Sequence, residues 1–174
     1  MQNYPEVNEE AQAETNKATR TEETPLEKAA KAIGIGLIAG LAGTAAITLS
    51  QAIEMKLTRR PPSTAPVDAA SKVLDIEATS RQEKQQVSQE IHWAYGTTWG
   101  VPRGIIALAG LKGWPATLAH FVAIWGTAQV MLPSLHVSPP ITEEEPKAIG
   151  IDVLHHAVYA VAAGLVYDAI DHHN

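Results

Sequence analysis

The chain has no cysteine, a single phenylalanine and few charged residues, and each shortage excludes something. Without cysteine there are no disulfides, thiolate metal sites or cysteine nucleophiles. The net charge is -6, and the 13 lysines and arginines form no dense basic patch, which argues against a nucleic-acid partner. The motifs GxxxxGK[ST] and GxSxG are missing, and no GxGxxG follows a strand. We therefore predict no cofactor and do not favour an enzyme.

Charged side chains are also missing from two long stretches, residues 32–53 and 113–142. The first stretch reads AIGIGLIAGLAGTAAITLSQAI, and as a helix it would span about 33 Å, enough for a hydrocarbon core of ~30 Å. A soluble amphipathic helix would place polar residues on one face every third or fourth position. The polar side chains here are confined to Thr44, Thr48, Ser50 and Gln51. This pattern predicts a transmembrane helix.

Three further apolar segments follow, and the second and third are separated only by Lys112 and Gly113, as in a tight helical hairpin. The predicted spans are 32–55, 89–111, 114–133 and 147–170. The fold class is therefore predicted to be all-α, a four-helix transmembrane bundle with a disordered N-terminal tail. A soluble helical bundle is the alternative.

The polar parts of the chain lie outside these spans. Residues 1–28 are acidic and predict a disordered tail, because they have too little apolar surface to offset the entropy of ordering. Residues 29–174 form the membrane domain, with a polar loop at 56–88. Within that loop, a short helix beginning near Pro66 has one apolar stripe. It either lies on the membrane surface or is a plain exposed helix.

Small residues recur at a spacing of four in the first two spans. The first span has Gly36 and Gly40, and the second has Gly96, Gly100 and Gly104. Small residues let helix backbones approach closely where lipid offers no hydrophobic drive. The stripes predict helix-packing faces, although chance in a glycine- and alanine-rich helix gives the same pattern.

Arg103 is a charge within the second predicted span. An ionisable residue there is a functional hypothesis by default, because its burial is costly. Helix geometry places Arg103 about 12 Å below the face that carries the termini. It therefore meets His120 or Asp168, or it snorkels or bonds to carbonyls that Pro102 frees. His120 and His156 differ in depth by roughly 12 Å, which disfavours a bis-histidine haem.

A second group of polar residues is predicted at the opposite end of the bundle. Its members are Glu54, Glu90, His92, Asp152, His155 and His156. Asp152 and His156 are four residues apart and share a helix face. Such carboxylates and imidazoles bind divalent metals, relay protons, or simply form a hydrogen-bond network. Since no HExxH is present, whether the cluster binds a metal stays open.

Several segments resemble a family of uncharacterised small bacterial inner-membrane proteins. The similarity lies in GLIAGLAGTAAITLSQAIEMKLTRRPPSTAP, HWAYGTTWGVPRG, DVLHHAVYA and YDAID, within roughly residues 30–171. The family is distantly similar to the YagU-like proteins, which share a Gly-rich first helix that ends in an acid and a Pro/Arg segment. The resemblance implies a multi-pass protein of the bacterial inner membrane and implies no chemistry.

Two functions from different classes fit these observations. The first is a structural or accessory subunit that acts by helix packing, with the lipid bilayer around it and a second copy or another membrane protein as partner. The second is a small transporter or a proton or divalent-metal pathway that uses Arg103 and the cluster at the opposite end. A membrane enzyme is the least favoured reading.

Overall fold

The computed structural model describes residues 23–74 and 80–172, where all of the regular structure is helical. The helices are α1 (Pro25–Thr58), α2 (Ala65–Leu74), α3 (Arg81–Thr98), α4 (Gly100–Leu108), α5 (Gly113–Ser134) and α6 (Pro146–His172). Helix α1 lies at the centre, against α3, α4 and α6, and α5 packs on α4 and α6. Helix α2 lies against α3. The prediction of an all-α fold is thus confirmed for the described residues.

Two of these helices are long and apolar enough to cross a membrane by length and composition, namely α1 with 34 residues and α6 with 27. The expected four spans are therefore not all found as single apolar helices. Helix α5 has 22 residues and no charged side chain, but His120 and Gln129 lower its mean hydropathy. The remaining predicted span, 89–111, is divided between α3 and α4.

The first helix begins earlier than expected, within the segment predicted to be a disordered tail. Thr24 caps it: the hydroxyl of Thr24 accepts from the Glu27 backbone N–H, and the Glu27 carboxylate accepts from the Thr24 N–H. With Pro25 in the first turn, this reciprocal cap nucleates a helix in polar sequence. Residues 25–28 are thus helical, and residues 1–22 of the predicted tail lie outside the described residues.

Helix α1 ends at Thr58, directly before two arginines and two prolines. Arg59 adopts a left-handed conformation, with φ 58°, and Pro61 and Pro62 cannot continue a helix. The predicted polar loop 56–88 is only partly a loop, because it contains α2 and the first turns of α3. Ser80 caps α3 by accepting from the Glu83 N–H.

The predicted span 89–111 is corrected to two helices that meet at Trp99. Pro102 lies three residues beyond this junction, and proline removes one N–H from the helical hydrogen-bond ladder. Helix α4 ends at Leu108. Gly110, with φ 91°, makes the turn into α5. Side chains from α5 and α6 reach the backbone carbonyls of Trp99 and Gly96 near this junction.

The contact between α1 and the α3–α4 segment is made by backbone against backbone. A Cβ added to Gly100 would overlap the Gly36 carbonyl, and it would lie 2.8 Å from the Gly40 nitrogen. A Cβ on Gly96 would strike Thr44, and one on Gly104 would strike the Ala32 carbonyl. Residue numbers rise along α1 while they fall along α3–α4, so the two segments are antiparallel. The small-residue stripes of the two predicted spans therefore face each other.

This close packing makes Gly36 far less tolerant of a methyl group than Gly34, two residues earlier on the same helix. We expect Gly36→Ala to lower the free energy of unfolding by about 1–3 kcal/mol, because the Cβ meets the Gly100 backbone. Gly34 has no atom within 4 Å of its Cβ position, so Gly34→Ala should be neutral or stabilising by about 0.5–1 kcal/mol. Unfolding midpoints of the two variants measure the difference, and equal midpoints would contradict the close contact.

Candidate functional site

Arg103 is completely buried at the start of α4, with 0% of its surface exposed. Its Nη2 donates to Oδ1 of Asp168 on α6 at 2.5 Å, and its guanidinium lies over the Tyr167 ring, 4.2 Å from the centroid. The Asp168 side chain is 26% exposed, so the pair connects the interior with the surface. Among the described residues, Arg103 Nε and Nη1 have no hydrogen-bond partner. Of the expected partners, the structure pairs Arg103 with Asp168.

The junction at Trp99 is held by two side chains from neighbouring helices. Tyr159 on α6 donates its hydroxyl to the Gly96 carbonyl at 2.6 Å. His120 on α5 places Nε2 2.8 Å from the Trp99 carbonyl. Because a carbonyl oxygen only accepts, His120 carries its hydrogen on Nε2 and leaves Nδ1 as an acceptor. Two backbone carbonyls of the α3–α4 segment are thereby bonded by side chains inside the bundle.

The predicted cluster at the opposite end is not one group, because its members belong to separate contacts. Glu54 pairs with Arg60 at 2.8 Å, and its carboxylate lies 3.9 Å from Nε2 of His155. His155 is buried, and its Nδ1 lies 2.8 Å from the Ser50 hydroxyl. Glu90 is exposed and accepts from the Gln86 amide on its own helix. Among the described residues, Glu90 therefore joins none of the other members.

Asp152 forms a second group, which connects α5 and α6. Its Oδ2 accepts from Trp125 Nε1 at 2.9 Å and from the Gln129 amide at 3.0 Å. Its Oδ1 lies 3.2 Å from Nδ1 of His156. His92 is bonded elsewhere, to the Thr48 hydroxyl on α1. Within 23–74 and 80–172, no three His, Asp or Glu side chains come together in a way that would hold a metal ion.

Helix α2 is fixed to α3 by a polar clamp outside the apolar part of the bundle. Asp68 accepts from Lys84 at 2.6 Å and from the Thr64 hydroxyl at 2.7 Å, and Ser88 donates to the Ser63 carbonyl. Partial burial raises the pKa of Asp68, but the hydrogen bonds from Lys84 and Thr64 outweigh it and lower that pKa below the ordinary 3.8. The carboxylate is thus ionised at neutral pH, and the clamp stays closed.

Three contributors to these contacts were not singled out from the sequence. Tyr159 and Tyr167 lie on α6 eight residues apart, nearly one face of a helix, and both are buried. A tyrosine in an apolar helix needs a partner for its hydroxyl, which is the signal that identifies Tyr159. Trp125 is the third, and its Nε1–H donates to the Asp152 carboxylate at 2.9 Å.

Comparison of the chain with models of protein families, with curated proteins and with solved structures finds no match.

The Arg103–Asp168 pair should contribute more stability than a surface pair on the same helix. We expect Asp168→Asn to lower the free energy of unfolding by about 3 kcal/mol, because it leaves a buried guanidinium without a counter-charge. Asp171→Asn, three residues along, removes an exposed contact with Lys112 and should cost less than about 1 kcal/mol. Unfolding midpoints of both variants measure the contrast, and a cost for Asp168→Asn no larger than for Asp171→Asn would refute it.

Proposed function

We propose that the chain is a multi-pass protein of the bacterial inner membrane that acts by helix packing, as a structural or accessory subunit. The observation that carries this proposal is where the polar side chains lie. The largest fully buried side chains are those of Arg103, Tyr167, His120, Thr44 and Ser88. In a water-soluble domain, charged and polar side chains of this kind are mostly exposed and large apolar ones fill the interior.

The outer surface has the opposite character. Large apolar side chains are more than half exposed on three of the long helices, and they include Ile38, Leu49, Leu118, Val122, Val130, Leu154 and Leu165. The most apolar part of α1 is only 44% buried, and that of α6 only 28%. Core helices of soluble proteins are mostly buried. A surface of this kind suits lipid, where exposed apolar residues have no cost and interior polar groups bond one another.

The ends of the long helices support four spans rather than two. Lys112, in the turn between α4 and α5, lies 3.7 Å from the carboxylate of Asp171 near the end of α6. At the other end, Glu54 near the end of α1 lies 3.9 Å from His155 near the start of α6. The segments α1, α3–α4, α5 and α6 therefore run between the same two faces, in alternating directions. An inner-membrane location is proposed from the resemblance to the YagU-like proteins.

The geometry favours packing over a proton or metal pathway. A relay needs titratable groups that adjoin one another across the bundle. Here Arg103 pairs with Asp168, His155 adjoins Glu54, and Asp152 adjoins His156, in three separate contacts. Helix α1 and the α3–α4 segment instead meet with glycine backbones in direct contact.

Single-cysteine labelling tests the four-span topology, since the chain has no cysteine of its own. Lys112→Cys and Glu143→Cys place a thiol in the α4–α5 and α5–α6 connections, both exposed. Four spans put these thiols on opposite sides, so a membrane-impermeant maleimide should label exactly one of them in intact spheroplasts and both after lysis. If only α1 and α6 cross, the two thiols lie on one side and react alike.

Site-specific photocrosslinking tests the accessory role. A photoreactive residue at position 165, where Leu165 is 61% exposed, should yield adducts with a second copy or another membrane protein. The matched control is position 163 on the same helix, because Ala163 is completely buried and should yield no intermolecular adduct. The accessory role would be overturned if the chain were a strict monomer and gave no adduct at outward positions on α1, α5 and α6.

A further inference from the structure

A cavity of about 380 Å³ lies between α2 and the bundle, with walls from α1, α2, α3, α5 and α6. This volume lies within the range of small-molecule sites, which are mostly apolar and carry a few polar groups that orient the ligand. The apolar walls include Ile47, Trp99, Ile124 and Leu132. Helix α2 forms the cover, with Ala65, Ala69 and Val73, spaced four apart, along one face.

The polar groups of the wall are hydrogen-bonding side chains. They belong to Gln51, His92, Tyr95, Trp99, His156 and Tyr159. No Asp, Glu, Lys or Arg is among the described residues that line the cavity. His156 already lies 3.2 Å from the Asp152 carboxylate, so a phosphate or carboxylate head group would find no unpaired counter-charge there.

Hydrogen bonds to neighbouring residues determine which nitrogen of each histidine is free. The Thr48 hydroxyl donates to the Thr44 carbonyl at 2.7 Å, so it accepts from Nε2 of His92 at 3.1 Å. Nδ1 of His92 is then an acceptor. His156 bonds through Nδ1 to the backbone carbonyl of Asp152 at 2.9 Å, and the same nitrogen lies 3.2 Å from the Asp152 carboxylate, so this ring is already engaged on its own helix. Nδ1 of His92 has no partner among the described residues.

The two tyrosines of the wall do not offer their hydroxyl hydrogens in return. Tyr159 donates to the Gly96 carbonyl, and Tyr95 directs its hydroxyl toward the Met131 sulfur. Among the described wall residues, the Gln51 amide and the Trp99 indole N–H supply the further donors. Nδ1 of His92 is an acceptor that none of them reaches, and a ligand that supplies a hydroxyl hydrogen complements it.

We propose that this cavity binds a neutral, lipid-soluble alcohol or phenol, whose hydroxyl donates to Nδ1 of His92 and whose apolar body lies against Trp99. Binding of this kind goes beyond the packing role, and it does not depend on a partner subunit. Helix α2 covers the bound molecule and is held in place by the Asp68–Lys84 clamp.

Two matched probes test the proposal, a brominated long-chain alkylphenol and its methyl ether, which lacks the hydroxyl hydrogen. The full chain is placed in phosphatidylcholine vesicles, and saturable quenching of tryptophan fluorescence by bromine is measured, since Trp99 lines the cavity. The phenol should bind saturably, and the ether should bind about fivefold more weakly, the typical effect of one hydrogen bond.

Substitutions separate the site from general partitioning into lipid. Ala128→Phe places a ring in the cavity and should abolish the saturable component, whereas Val122→Phe, on the exposed face of the same helix, should leave it unchanged. His92→Leu, which keeps the cavity open, should weaken the phenol about fivefold and leave the ether unaffected.

Three results would overturn the proposal. If phenol and ether bind equally and Ala128→Phe abolishes the binding of both, the cavity is a site for an apolar chain and does not recognise a hydroxyl. Saturable quenching that survives Ala128→Phe would place the molecule outside the cavity. An equal loss of affinity for both probes in His92→Leu would show that the hydroxyl of the phenol does not bond to His92. Circular dichroism shows whether each variant is folded. If Ala128→Phe does not fold, the comparison of the two probes in His92→Leu tests the proposal by itself.

Discussion

The contact between Gly36 and Gly100 is the constraint on which the rest of the bundle depends. Two helices approach until backbone touches backbone, which leaves no room for a Cβ at either residue. This distance brings Arg103, three residues beyond Gly100, inside the bundle, where Asp168 on α6 bonds to it directly. The buried charge of Arg103 therefore depends on the close packing of the helices, because a wider spacing between them would separate Arg103 from Asp168.

The same close approach accounts for the interior polarity. Helices that meet through glycine and alanine expose their carbonyls to neighbours, and side chains such as Tyr159 and His120 bond to them. Bonds of this kind fix helices against one another where the hydrophobic effect offers little. The polar interior is therefore a means of association, and the buried groups Arg103, His120 and Tyr159 each bond to another helix.

Sequence reasoning identified the helices and the packing faces but not how helices are placed relative to one another. The spacing of Gly96, Gly100 and Gly104 defines one face, and that face does meet the glycines of α1. Periodicity cannot give the axial offset or rotation between two helices, and the polar groups at the opposite end depend on both. Asp152 and His156 are in contact, as expected, because they share a helix face. Glu90 does not join the other members, because its side chain is exposed. The junction at Trp99 was missed because Pro102 suggested a kink without placing it.

Tyr159 has a consequence for how the bundle can move. Its ring fills the space beside Gly43, where an added Cβ would lie 2.8 Å from Cε2, and its hydroxyl ends on Gly96. Successive residues on a helix are separated by about 100° of rotation. Turning α6 by one position would therefore withdraw both the ring and the hydroxyl, and break the hydrogen bond to the Gly96 carbonyl. Tyr159 thus fixes the rotational setting of α6, whereas a tilt of the whole helix can keep both contacts.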